Sequence, residues 1–235
     1  MANLTQLKML EDLDGVLLVD KPAGIAFSTV VKSVKRKFNL VKVGHGGSLD
    51  AMASGLLVLL INDANRFVAD VMGADREYEG TVRWGLKTDT HDIYGTELAK
   101  RDLPAADELR AKLETVLPEF SGDVFQTESR FCSVRREGSS GYEIADTGDH
   151  RPFMAHVYRL AFTGPSFTLR ATKGAIVKTL VNDIGDAVGC GAALESLRRT
   201  RVGRLSVADA IAFDRLLELE IKDFMPCVKP VNVLR

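Results

Sequence analysis

Gly44-His-Gly-Gly-Ser-Leu-Asp-Ala-Met-Ala-Ser-Gly-Leu-Leu-Val-Leu-Leu-Ile61 sets a glycine-rich segment directly against an unbroken apolar run. Six consecutive branched residues, Leu56 to Ile61, read as a strand buried on both faces, since a half-buried strand alternates with polar residues. The four glycines at 44, 46, 47 and 55 predict a loop beside the core, and one carboxylate, Asp50, stands within it. A core strand fixes the end of such a loop, and small neighbours leave room for a large ligand, which suits a nucleophile or base. The residue types alone equally fit a turn aspartate bonded to its own backbone.

Outward from this stretch, Gly15-Val-Leu-Leu-Val19 predicts a second buried strand, ended by the Asp20-Lys-Pro-Ala-Gly24 turn. A basic amphipathic helix follows, with Ser28 as N-cap, Val30, Val31, Val34 and Phe38 on the apolar stripe, and Lys32, Lys35 and Arg36 off it. Alternation in Tyr78, Gly80, Val82, Trp84 and in Phe167, Leu169, Ala171 predicts antiparallel strands, with another over 154–162. Helices are expected over 107–117, over 175–188 with Gly189 as the stop, and over 206–217 from a Ser206-x-x-Asp209 capping box. Strands and helices mix without a regular βαβ period. The expected class is therefore α+β, with a mixed, largely antiparallel central sheet flanked by helices. No linker marks a domain boundary, and the glycine- and charge-rich segment 123–150 reads as an insertion or mobile loop.

Across 235 residues, 46% hydrophobic and 27% charged content excludes a disordered chain or a collagen-like repeat. The longest apolar run is far below the roughly 20 residues of a membrane helix, and Glu11, Asp12 and Asp14 do not resemble a signal peptide, so a cytoplasmic protein is expected. Cys132, Cys190 and Cys227 are odd in number and widely spaced, which predicts free thiols. The formal net charge of −1 hides two basic clusters, Lys32 to Lys42 and Arg198, Arg199, Arg201, Arg204. Each is either a grip for a polyanion or a solvated face. Gly44 to Gly47 lack the Gly-Lys-Ser/Thr of a phosphate-binding P-loop.

Six ordered blocks carry a resemblance: Gly15 to Gly24, Gly44 to Asp50 with Ser54-Gly55, Arg76-Glu-Tyr78, Thr88-Asp-Thr-His-Asp92 with Gly95, Lys173-Gly174, and Leu197 to Gly203. Together they resemble the TruB family of tRNA pseudouridine synthases, over residues 14–215. The resemblance implies the pseudouridine synthase fold, no cofactor and no metal. It also implies isomerisation of the T-loop uridine, position 55 of tRNA, on a flipped-out base. Asp50 would be the essential aspartate, as nucleophile at C1′ or as base in a route through a glycal. An acid enclosed in a cleft keeps its charge only beside a positive partner or donors, and the matching basic position is Lys178.

By the same resemblance Tyr78 would stack on the target base, His45 would help open the T loop, and Asp92 would hydrogen-bond the flipped nucleotide region. Read without it, these are a core tyrosine, a solvated loop histidine and an acidic turn. Lys21, Lys32, Lys35, Arg36, Lys173, Arg198, Arg199 and Arg201 are the expected RNA contacts. The sequence departs from the family at Ile176, where an aromatic is usual, at Lys178, where arginine is usual, at Ala51 and Gly46, and in Phe125 to Arg130. The implied organisation is one catalytic domain over 1–235 without a full C-terminal PUA domain, acting as a monomer on a tRNA stem-loop. A divergent synthase on another structured RNA, or a catalytically weak RNA-binding or RNA-folding protein, are the alternatives.

Overall fold

Continuous branched residues form a stable strand only when apolar layers cover both of its faces, and the computed structural model shows both layers. It describes residues 13–127, 131–134, 143–146 and 152–234. The first strands are β1 (Gly15–Lys21), β2 (Val43–His45), β3 (Ser54–Ile61), β4 (Arg76–Trp84), β5 (Leu86–Thr88), β6 (Glu97–Lys100) and β7 (Gly122–Gln126). They are followed by β8 (Phe131–Val134), β9 (Glu143–Asp146), β10 (Phe153–Thr163), β11 (Ser166–Ala171), β12 (Ala192–Val202), β13 (Leu205–Ser206), β14 (Ile211–Ala212) and β15 (Val228–Lys229). The α-helices are α1 (Phe27–Lys37), α2 (Val68–Gly73), α3 (Ala106–Val116), α4 (Val177–Val188), α5 (Phe213–Glu218) and α6 (Ile221–Phe224). The chain packs as two units, residues 1–74 with 198–235 and residues 75–197. No linker composition marks either boundary, because one falls just ahead of β4 and the other inside β12.

In the first unit β1 and β3 pair antiparallel from Gly15↔Ile61 to Lys21↔Gly55. The free edge of β1 is covered by β14, parallel, and β15, antiparallel. The second edge of β3 is shared: β2 pairs with Leu59 to Ile61, while β12 runs parallel beside Ser54 and Gly55. Alternate residues feed two cores. Leu17, Val19, Leu57, Leu59 and Ile61 pack with Val30, Val34 and Phe38 of the α1 segment and with Phe213, Leu216 and Phe224. Val16, Leu18, Leu56, Val58 and Leu60 pack with Ala64, Val71, Val202 and Leu205. Phe38 and Phe224 stack with ring centroids 3.7 Å apart.

Helix α1 buries Val30 and Val34 and carries Lys35, Arg36 and Lys37 in its last turn, where positive charge complements the helix dipole. Its N-cap is Ala26, without a side-chain cap, rather than the expected Ser28. The helix expected over 206–217 is three short pieces. Ser206 does accept a bond from the Ala208 amide, but it caps a single 3₁₀ turn, after which β14 pairs with β1 and α5 begins at Phe213. Pairing with β1 overrides the local capping signal.

In the second unit the order β12-β4-β11-β10-β7 builds a sheet whose β4–β11, β11–β10 and β10–β7 pairings are all antiparallel. Strand β7 was not anticipated. Helix α4 is buried along most of its length and packs with α3, and it ends at Gly189, whose φ of +92° is the left-handed cap expected of glycine. The segment 123–150, expected as an insertion or mobile loop, begins instead as β7, and most of the rest of it lies outside the described residues.

Candidate active site

The Asp50 loop is shaped from beneath by two buried cations of the first unit. Lys21 closes β1 and is fully buried. Its ammonium donates to the carbonyls of Pro22 at 2.9 Å, Ile25 at 2.7 Å and Ala51 at 3.3 Å, and the Gly24 amide donates to the same Ala51 carbonyl at 2.7 Å. Arg199, only 2% exposed, donates from Nε to Leu56 O at 2.8 Å and from its two terminal nitrogens to Ser48 O at 2.8 Å and Gly47 O at 3.3 Å. One side chain thus ties three carbonyls on both sides of Asp50. Gly55 lets this happen: a Cβ there would lie 2.3 Å from the Arg199 carbonyl, and its φ of +101° is glycine territory.

The loop buries Leu49, Ala51, Met52 and Ala53, while Asp50 between them is exposed. The sequence reading had the carboxylate enclosed. With both neighbours turned into the core, the chain presents residue 50 outward. Gly44 and Gly46 also differ from their expected use, since a Cβ at either would strike Asn65 or Val71. Their smallness lets β2 lie against the core rather than leaving room for a ligand.

Burial pulls the Lys21 ammonium from 10.5 down to about 8; the Asp50 carboxylate opposes this shift and Arg199 adds to it. His45, at the end of β2, is half-buried, with its ring centroid 4.8 Å from that of Phe27 and Nδ1 buried without a hydrogen-bond partner among the described residues. Burial, then Arg199, lowers its pKa, which favours the neutral imidazole. Arg198 points to the other side of β12 and grips Asp20 with two bonds of 2.9 and 2.7 Å. Lys32, Lys35 and Arg36 are exposed on α1, and Arg201, partly exposed, donates to the Arg204 carbonyl.

In the second unit Tyr78 lies half-buried on β4, opposite Leu169. Asp92 is 1% exposed. Its Oδ1 accepts from Thr90 Oγ1 and the Tyr94 amide, both at 3.0 Å, and its carbonyl accepts from Thr88 Oγ1 at 2.7 Å. His91 beside it takes a φ of +63°. Burial, reinforced by Lys178 and Lys87 against Asp186 and Asp89, pushes the His91 imidazole from 6.5 down to about 4.

The loop carrying exposed Lys173 is pinned at both ends. Thr172 N donates to His156 O and Thr172 Oγ1 accepts from His156 N, each at 2.9 Å, and Gln126 brackets Ile176. Lys178 follows in the first turn of α4, only 6% exposed, with no hydrogen bond or ion pair among the described residues. A buried cation at the positive end of a helix dipole is unfavourable until an anion meets it. Three residues expected to reach RNA, Lys21, Arg199 and Asp92, are buried with their polar atoms on internal partners, whereas Arg198 and Arg201 bond to Asp20 and the Arg204 carbonyl from partly exposed positions. Their charge was legible in the sequence, but the direction of each head group was not.

Residues 35–173 match the TruB family pseudouridylate synthase N-terminal domain, and residues 178–234 match the tRNA pseudouridylate synthase B C-terminal domain. The chain belongs to the TruB family. A protein named tRNA pseudouridine synthase B from Opitutus terrae is 36% identical over 229 residues, 94% of each chain. One of the same name from Burkholderia pseudomallei is 40% identical over 212 residues, 87% of this chain and 69% of that one. Among solved structures, an H/ACA RNP bound to a substrate RNA containing 2′-deoxyuridine superposes with a TM-score of 0.66 at 26% identity, covering 95% of this chain and 61% of that one. The TruB-family fold accounts for the mixed α+β architecture with its largely antiparallel pairing.

Proposed function

We propose that this TruB-family chain is a tRNA pseudouridine synthase that isomerises a uridine in the T loop, position 55, with Asp50 as its essential carboxylate. The observation that carries the reading is the Asp50 loop, an outward-facing carboxylate whose backbone is fixed by Lys21 and Arg199. A carboxylate so placed can be covered by an everted nucleotide. The relatives' name and the near-complete overlap with the Opitutus terrae protein support the substrate class.

In the proposed reaction the N1–C1′ bond breaks, the uracil turns while held, C5 joins C1′, and the proton lost from C5 is balanced by one gained at N1. Asp50 acts at C1′ or takes a sugar proton on the glycal route. Tyr78 supplies a stacking surface, and Lys178 supplies the cation that family arginines supply elsewhere. Eversion costs a few kcal/mol, offset by stacking and by phosphate contacts. Lys32, Lys35, Arg36, Lys173, Arg198 and Arg201 make those contacts, and His45 helps open the loop. Lys21, Arg199 and Asp92 position the backbone. The protein works as a monomer in the cytoplasm.

The test is incubation with unmodified tRNA transcript and mapping of pseudouridine by carbodiimide-blocked reverse transcription. One stop at the T-loop uridine, lost in Asp50→Asn with RNA affinity retained, is the expected result. A stop elsewhere assigns another structured RNA target, and no stop with tight binding assigns an RNA-binding role. Product from Asp50→Asn removes that residue from its role.

A further inference from the structure

We infer that Gln126 is a positioning residue for Lys178, acting through a two-bond clamp on the start of α4. Gln126 sits at the end of β7 and is 2% exposed. Its Nε2 donates to Ile176 O at 3.1 Å, and its Oε1 accepts from Ile176 N at 3.0 Å. The amide side chain thus imitates one rung of a β-ladder against a residue 50 positions away. An uncharged amide offers both a donor and an acceptor at that reach, where a carboxylate offers acceptors alone.

The clamped residue is the N-cap of α4, with φ −97° and ψ 102°, and Lys178 is the second residue of that helix. Ile176 O also accepts from Leu180 N at 3.1 Å, so the clamp holds the carbonyl that opens the helical ladder. At its far end α4 is already fixed, because a Cβ on Gly185 would lie 2.3 Å from Ala192 N. Gln126 therefore sets where the near end, and the Lys178 stem, comes to rest. Position 176 lacks the usual aromatic of the family, and the clamp reads backbone alone, so it is indifferent to that replacement. This inference deepens the synthase reading and rests on it.

Two readouts separate the clamp from the reaction. In Gln126→Met, hydrogen exchange at the Ile176 amide should lose its protection while the global unfolding midpoint falls by only a few degrees, as expected for two lost hydrogen bonds, and tRNA affinity holds. Single-turnover pseudouridine formation should slow by about 10- to 100-fold, the usual consequence of an ångström-scale misplacement. Gln126→Glu keeps the acceptor and loses the donor, and should fall between. The double variant with Lys178→Met should be no slower than Lys178→Met alone, since a residue acting through another has nothing left to position.

Full additivity in that double variant, or unchanged exchange at Ile176 in Gln126→Met, overturns the inference. A wild-type protein that forms no pseudouridine while Ile176 stays protected overturns the synthase reading and the catalytic purpose of the clamp. The exchange result shows that the clamp itself had not failed.

Discussion

Replacing Arg199 with methionine removes the charge and every donor that ties the Asp50 loop while keeping most of the side-chain volume. The Leu56 carbonyl is deep in the sheet, and leaving it unpaired costs about 1–3 kcal/mol. The Ser48 and Gly47 carbonyls lie where water can replace the guanidinium, so each loses about 1 kcal/mol. Relief from burying a cation offsets part of this, giving a net destabilisation of about 2–4 kcal/mol. For a chain of this size that lowers the midpoint by about 4–16 °C.

Activity should suffer more than stability. With its anchors gone the loop samples other backbone geometries, and single-turnover pseudouridine formation should fall at least about 100-fold at temperatures where the variant is still folded. Thermal unfolding followed by circular dichroism gives the first number, and rapid-quench assays on T-loop transcript the second. Arg199→Lys, which keeps the charge but loses the planar fork of donors, should lie between. An Arg199→Met protein that melts within 1 °C of wild type and reacts at the wild-type rate would show that the buried guanidinium neither holds the loop nor matters to Asp50.

Two further outcomes follow from the charges. The His91 imidazole takes its proton near pH 4 in the folded chain and near 6.5 unfolded, so the unfolded state alone gains a proton between those values and stability falls as pH drops through that window. The full linkage is about 3 kcal/mol, trimmed by solvent to about 2 kcal/mol. His91→Asn, which tolerates the positive φ, should remove that loss in urea titrations compared at pH 7 and 4.5, and an unchanged difference would count against it. Replacing Lys32, Lys35 and Arg36 together by glutamine should reduce the slope of log affinity for tRNA against log salt by about 2, with only a small loss in melting from the two helix-end charges, whereas an unaltered slope removes α1 from the RNA interface.

Where burial dictated residue type, the sequence was readable. Leu56 to Ile61 admits one arrangement because no polar residue interrupts it, and both covering layers are present. The stop at Gly189 was readable because only its left-handed φ ends α4. Ser206 misled because an N-cap signal is local and β14 pairing is not. Lys21 and Arg199 misled for a related reason: a cation in a basic cluster looks the same whether its head faces water or three carbonyls. Gln126 carried no signal, since nothing near it in the chain reveals a partner 50 residues away. Asp50 was found through its flanking motif, and only packing of Leu49 and Ala51 revealed which way it faces.

The parallel pairing of Arg198 and Arg199 with Ser54 and Gly55 also sets an order of assembly. During synthesis the segment bearing Asp50 emerges early, but its last anchors come from a strand made far later, and β1 waits longer still for Val228 and Lys229. Until β12 is made the loop lacks its Arg199 anchors, and until β15 is made that part of the β1 edge stays open to mispairing. A ribosome-bound fragment ending before β12 would lack all three Arg199 anchors of the Asp50 loop, so the loop takes its final form only once that strand has been made.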